Sequence, residues 1–426
     1  MLMTTVPNAL PGQDDIAREV LPNGITVLAR ENFLSKAVVI SGTLSVGSLY
    51  DDPALLGVAN MTASTLMRGT QFQDFDTLHE QLEQIAATLA ISGGAHTTSF
   101  GGKALAEDLT TLLGLLSEAL RYPAFPVDQV ERYRGEVLTA LKIAEQDSRV
   151  VASKAFRRHC YPIGHPYGQS GIGEPEMVAQ ITIDQLRTFH QTYFSPHKMV
   201  IAIVGAVKRE DAIRAVSAVL GDWTHPASPP VILPPAPPLT EPIRITTPLP
   251  GKTQTDLIIG WPGPSRFAPD YIAATIANNI LGVFGMMGRL GKTVREEQGL
   301  AYSCSSRLGG GYGPNPWQIN AGVNPVNVEV AFTSILSEVQ RLIETPIEAS
   351  ELADNKANFI GRLPLSLESN EGVCGSILNM ENYGLGLDYL RHYATRIDAI
   401  SADEVSAAAR HYLSSTAYAS AISGAV

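Results

Sequence analysis

Cysteine is scarce in this chain: 426 residues contain three, Cys160, Cys304 and Cys374, widely spaced and with no C-x-x-C pair. An odd, scattered set excludes a disulfide framework and points to a reducing compartment, with each thiol acting as a small buried apolar group. Long apolar runs are also lacking. No stretch reaches the roughly 20 residues a membrane helix needs, and the first 15 residues have neither the basic start nor the apolar core of a secretory leader. A cytoplasmic protein with no membrane partner is expected. Positive charge is the third shortage, with 31 Lys and Arg against 42 Asp and Glu and a net charge of −11. Without clustered cations to replace phosphate counterions, no nucleic-acid partner is expected. The acidic balance suits a solubilising surface or a cavity for basic or polar peptides, and alone does not choose between them.

What is present is an ordinary globular composition, 45% hydrophobic and 17% charged, on a chain long enough for two cores. Residues 221–242 carry eight prolines between Pro226 and Pro242. Proline interrupts helices and cannot donate to a sheet ladder, so this stretch reads as an extended linker. It divides the chain into an expected N-terminal domain, 1–222, a linker, 223–242, and a C-terminal domain, 243–426.

The two parts resemble each other. Residues 181–207 and 400–426 align without a gap over 27 positions with nine identities, 219 residues apart. A second pair, LSEALRYPAFP from Leu116 and LSEVQRLIETP from Leu336, recurs at an offset of 220. Two independent matches at nearly one offset identify a structural duplication. Within the unit, Asn23-Gly24 signals a tight turn before a β-rich run. Residues 37–46 read as strand, 55–67 and 75–89 as helices, and 90–104 as a glycine-interrupted strand. Helices follow over 105–121, 127–145 and 183–194, with a closing strand at 199–204. Strands in groups between long helices predict an α+β fold, a largely antiparallel sheet covered by helices in each of two duplicated domains.

Residues 57–70 read GVANMTASTLMRGT. This segment resembles the zinc helix of the pitrilysin and mitochondrial processing peptidase family, G-x-A-H-x-x-E-H followed by Lys/Arg-Gly-Thr. Gly57, Ala59, Met67, Arg68, Gly69 and Thr70 match that frame. The two histidines fall on Asn60 and Ser64 and the glutamate on Ala63. Independently of any family, residues at i and i+4 share a helix face, so two histidines there can grip one Zn²⁺ beside a carboxylate that activates water. Asn60 and Ser64 are poor ligands and Ala63 is no base. The family's third ligand lies on a later helix. Setting Arg134 and Val137 on that pattern places Ala140 at the ligand position. No metal is therefore expected in this chain. His159, Cys160 and His165 form the one loose alternative cluster, but their setting resembles a structural His-Pro-Tyr-Gly loop of the family.

The second half keeps its motif. From Leu281 it reads LGVFGMMGRLGKTVREEQGLAYSCSS, similar to the family's glycine-containing segment, Arg-Leu, then V-R-E-x-x-G-L-A-Y-S. The resemblance implies that Arg295 and Tyr302 reach toward substrate at a partner's zinc. Attack on a peptide carbonyl creates an oxyanion that a guanidinium and a phenol can stabilise. On spacing alone, Arg295 could equally pair with Glu296 or Glu297 while Tyr302 packs in a core. Gly282, Gly285 and Gly288 resemble a substrate-admitting glycine loop, and no G-x-x-x-x-G-K-[ST] phosphate loop occurs. The resemblance implies a non-catalytic subunit, inactive alone, paired with a homologous subunit that has the zinc motif and acts on peptides. A scaffold or peptide-binding pseudoenzyme, possibly homodimeric, is the alternative.

Overall fold

The computed structural model describes residues 10–282 and 288–425. In chain order, the first half supplies β1 (Ile16–Val20), β2 (Thr26–Glu31), β3 (Ala37–Leu44), α1 (Val58–Thr65), α2 (Phe75–Gln84), β4 (Thr88–Gly93), β5 (Thr98–Leu105), α3 (Leu109–Arg121), α4 (Val127–Ala144), α5 (Ser148–Cys160), α6 (Pro175–Gln180), α7 (Ile183–Tyr193), β6 (Val200–Gly205) and α8 (Arg209–Leu220). The second half supplies β7 (Ile243–Pro248), β8 (Thr255–Pro262), α9 (Tyr271–Gly282), β9 (Ala301–Leu308), β10 (Pro316–Val323), α10 (Val328–Glu344), α11 (Ala349–Ser366), α12 (Asn370–Asn382), α13 (Tyr393–Ala399), α14 (Ala402–Tyr412) and β11 (Ala419–Gly424).

Six strands form one sheet in the order β1-β2-β6-β3-β5-β4, and five form another in the order β7-β11-β8-β10-β9. The pairings β2–β6 and β11–β7 are parallel and the remainder antiparallel. The strand orders repeat, with β6 and β11 in equivalent places, as the duplication requires. Each unit is thus a helix-covered, mainly antiparallel α+β layer. The stretch expected as helix over 75–89 ends early: α2 stops at Gln84, Ala86 takes a positive φ of 48°, and β4 begins at Thr88. The glycines at 93 and 94 turn 90–104 into a hairpin of β4 and β5 rather than one strand. No helix among the described residues is long and apolar enough to cross a membrane.

The compact units cut across the sequence halves. One comprises 1–139, 171–231 and 362–394; the other comprises 140–170, 232–361 and 395–426. The division at 223–242 separates the strands of the two sheets but not the helices that cover them. In the first unit, Val373, Cys374, Ile377 and Met380 of α12 share a core with Leu28, Val39, Ala202 and Val204 of the sheet. The Cys374 thiol donates to the Ala202 carbonyl at 3.2 Å. In the second unit, α5 packs on β8 and β11. There Phe156 is fully buried, and a Cβ on Gly260 of β8 would come within 2.8 Å of its ring. So each sheet is closed by a helix from the other half. The physical reason is burial: β6 and β11 are buried along their whole length, and an apolar face so complete needs a cover whatever its origin in the chain.

Other ties are local. Arg134, expected only as a marker on α4, is buried. It forms a two-point ion pair with Glu131 at 3.0 Å and donates to the carbonyls of Val178 and Ile181. His165 is also structural: its Nδ1 accepts from the Tyr167 amide and its Nε2 donates to the Pro234 carbonyl, both at 3.1 Å.

The helix exchange predicts that a fragment ending at residue 242 will be insoluble or molten when made alone, and will become soluble when co-expressed with residues 243–426. Within the full chain, Ile377→Ala should cost about 2–4 kcal/mol in denaturant unfolding.

Candidate functional site

In the first unit, α1 is held by its two flanking motifs. Gly57 has a φ of 104°, and a Cβ there would lie 2.6 Å from the Ile172 carbonyl oxygen, so only glycine fits. Asp51 caps the helix, accepting from the amides of Gly57 at 2.9 Å and Ala59 at 2.8 Å. Burial pushes the Asp51 carboxyl up to about 6 against the pull of those two hydrogen bonds. At the other end Arg68 pairs with Glu136 at 2.7 Å and lies over the Tyr133 ring, 4.8 Å from its centroid. The Tyr133 hydroxyl reaches the Asn60 amide oxygen with a long 3.4 Å hydrogen bond.

The face that would hold a metal therefore presents the Asn60 amide, the Ser64 hydroxyl and the Ala63 methyl. Asn60 and Ser64 are half-buried. Ala63 is fully buried, and its Cβ would be 3.2 Å from a Cβ added to Gly93 on β4. Ala140 is exposed on α4, seven residues beyond Tyr133 and hence on the same helix face. An amide, a hydroxyl and two methyls do not fit zinc, which takes thiolate, imidazole or carboxylate ligands. Among the described residues no group of three His, Cys, Asp or Glu could hold a metal ion. The other cluster is not a centre either. His159 Nδ1 sits 2.8 Å from the Ala155 carbonyl, and Cys160 is buried with its thiol pushed well above the usual range by desolvation.

In the second unit the Arg295–Tyr302 segment rests on two backbone irregularities. Gly291–Glu297 is a π-helix, and the Gln298 amide continues its pattern by bonding the Thr293 carbonyl at 3.2 Å. Such turns are rare in proteins and concentrate at functional sites. Leu290 and Val294 anchor it in the core, both fully buried, while Arg295 is half-buried. Gly299, at a φ of 62°, then turns the chain into β9. There Ser303 opposes Gly322 and Ala301 opposes Val323, so the register skips Tyr302. Tyr302 is the extra residue of a β-bulge on a strand that pairs on one side only, a device that re-aims a side chain. It is 66% exposed, so a core role for this tyrosine is ruled out. Of the nearby acids, Glu297 lies 3.9 Å from Lys292.

Gly282 and Gly288 are brought together. Both have positive φ, 143° and 95°, and a Cβ on Gly288 would be 2.7 Å from the Gly282 Cα. Gly285 lies outside the described residues. A cavity of about 700 Å³ opens beside this neck, lined by Gly288, Arg289, Lys292, Glu296, Glu351 and Asp354 among others. The later glycine run, Gly309–Gly313, links β9 to β10 as a turn. A Cβ at Gly310 or Gly313 would strike the hydroxyl of Tyr271 or Tyr167.

Two family profiles match the sequence: "Insulinase (Peptidase family M16)" over residues 26–165 and "Peptidase M16 inactive domain" over 180–359. The chain belongs to peptidase family M16. An uncharacterized zinc protease of Streptomyces coelicolor is 24% identical over 94% of this chain and 88% of its own length. The uncharacterized zinc protease YmxG of Bacillus subtilis is 23% identical over 83% and 85%. A probable mitochondrial-processing peptidase subunit beta of Arabidopsis thaliana is 24% identical over 46% of this chain and 37% of its own. Among solved structures, a peptidase M16 inactive domain from Pseudomonas fluorescens superposes with a TM-score of 0.89 at 24% identity, covering 96% of this chain and 98% of that one. A protease from Helicobacter pylori gives 0.89 at 18% identity, over 97% and 100%. The fold of this M16 chain is therefore shared over nearly its whole length.

Sequence reasoning passed over Asp51, Arg289 and Glu351. Asp51 stands six residues before Gly57, outside the usual N-cap position, so no capping pattern announces it. Arg289 and Glu351 are 62 residues apart, and only the fold joins them.

Asp51 carries a pH prediction. Its folded-state proton is held more tightly than in the unfolded chain, where an aspartate titrates near 3.8. The stability it contributes is therefore present below about pH 4 and is lost as pH rises through about 6, a change of about 3 kcal/mol at most. Urea unfolding of wild type and Asp51→Asn between pH 4 and 7 should diverge by that pH-dependent term, with the variant showing the flatter profile.

Proposed function

We propose that this chain is a non-catalytic subunit of a heteromeric zinc metallopeptidase, lending Arg295 and Tyr302 to substrate held at a partner's zinc site. What carries the reading is a contrast within one chain. All four metal-site positions, Asn60, Ala63, Ser64 and Ala140, lack metal or base chemistry. The Arg-Tyr segment keeps its residues and sits on a π-helix and a bulge. Irregular backbone of this kind costs free energy and persists where a side chain must be aimed. A scaffold gains nothing from such aiming.

The chemistry expected of this chain is binding and charge stabilisation. The guanidinium of Arg295 and the exposed phenol of Tyr302 donate to a substrate carbonyl oxygen and stabilise the negative charge that develops on it. The glycine neck at Gly282 and Gly288 belongs to the same substrate-facing region. The partner is a homologous M16 subunit with an intact H-x-x-E-H motif, the substrate is peptide, and the cytoplasm is the expected compartment.

Co-expression with a zinc-motif homologue, followed by zinc content and hydrolysis of a quenched peptide, tests this directly. One zinc per heterodimer is expected, with activity requiring both chains. Arg295→Ala or Tyr302→Phe should lower turnover about 100-fold or more while the complex still forms. A zinc-free homodimer that adds no activity to any homologue would instead identify a peptide-binding pseudoenzyme.

A further inference from the structure

We infer that Arg289 and Glu351 are a positioning pair that fixes the π-helix carrying Arg295, an inference that rests on the role of Arg295 proposed above. The Arg289 side chain is 8% exposed. Its Nε and Nη2 donate to the two carboxylate oxygens of Glu351 at 2.9 and 2.7 Å. Glu351 lies in the first turn of α11 and is itself braced. Its carbonyl accepts from the Asn355 amide at 2.8 Å, and the Asn355 oxygen accepts from Asn279 of α9 at 2.6 Å. The pair therefore ties the segment to α11 directly and to α9 through Asn355.

Energetics argue against stability as the reason for it. The third guanidinium nitrogen, Nη1, is buried without an acceptor. An orphaned buried donor costs about 1–3 kcal/mol, and a buried ion pair is often no better than an apolar substitute. The hydrogen bond to Glu351 holds the guanidinium charged in spite of burial, with Glu338 and Glu348 adding to the field. What a buried pair contributes well is a defined geometry.

Its place in the chain shows which geometry. Arg289 follows Gly288, whose backbone is pinned against Gly282, and precedes by two residues the start of the π-helix at Gly291. Leu290 and Val294 hold one side of that segment in the core. They fix its depth, and the rotation of the segment over that face sets where Arg295 points. The planar two-point fork of Arg289 on Glu351 is suited to fixing that rotation. A lysine would keep the charge but lose the plane.

The test is amide hydrogen exchange on the isolated full-length chain, comparing wild type with Arg289→Lys and Glu351→Gln. Amides of residues 291–299 should exchange about tenfold faster, while those of β8 and β10 in the same unit keep their rates. In the heterodimer, kcat should fall with KM little changed, and Arg289→Lys should add almost nothing in an Arg295→Ala background. Unchanged exchange over 291–299 would overturn the inference, as would faster exchange spread evenly over the unit, which marks an ordinary stability role. Glu351→Gln is nearly isosteric and decides the matter if Arg289→Lys folds poorly. If Arg295→Ala leaves turnover intact, the functional proposal fails, and the exchange result still judges the positioning.

Discussion

Everything in this molecule depends on the reciprocal cover of its two sheets. β6 and β11 are the central strands produced by the duplication, and each is buried along its length. The helix that closes the first sheet, α12, comes from the second half, and α5 from the first half closes the second. Cys374 and Phe156 show how closely these helices approach, the one bonding a strand carbonyl and the other filling the space a glycine leaves. Covalent order along the chain and packing order in space are thus different. Because apolar burial is the main favourable term in folding, neither half can complete its own core, and the halves must fold as one cooperative system.

The first half also keeps its shape without metal-binding residues on α1. The residues that hold α1 in place are Gly57, Asp51, Arg68 and Tyr133, none of which would be a zinc ligand. Replacement of the ligand positions by Asn60, Ala63 and Ser64 leaves this frame standing. In the second half the Arg295–Tyr302 segment is held by different means, the π-helix and the bulge at Tyr302, with Leu290 and Val294 buried beside it.

Much of this could be read from the sequence because period and punctuation are local. The proline-rich stretch, the Asn23-Gly24 turn and the apolar spacing of α3 carry their own signals. So did the helix carrying Asn60 and Ser64, since i and i+4 positions share a face in any helix. The exchange of α5 and α12 could not be read, because an amphipathic helix shows that it has an apolar face but not which sheet that face covers. The end of α2 was obscured because the apolar pattern runs on into β4, and the positive φ at Ala86 leaves no compositional mark. Tyr302 could have been core or surface by composition. Only the skipped register in β9 separates the two, and register is a property of paired strands rather than of one.

The contact between α1 and β4 bears on reversibility. Ala63 has no exposed surface, and the backbone of Gly93 lies against its methyl group. A glutamate at that position would need room for four more heavy atoms where the strand already sits, and without histidines at 60 and 64 its carboxylate would have no metal to serve. Each single step back is unrewarded and the first is sterically penalised. Packing here acts as a lock: with helix and strand closed over a methyl group, this position of α1 accepts a small side chain and resists a long one, whatever the surrounding residues become.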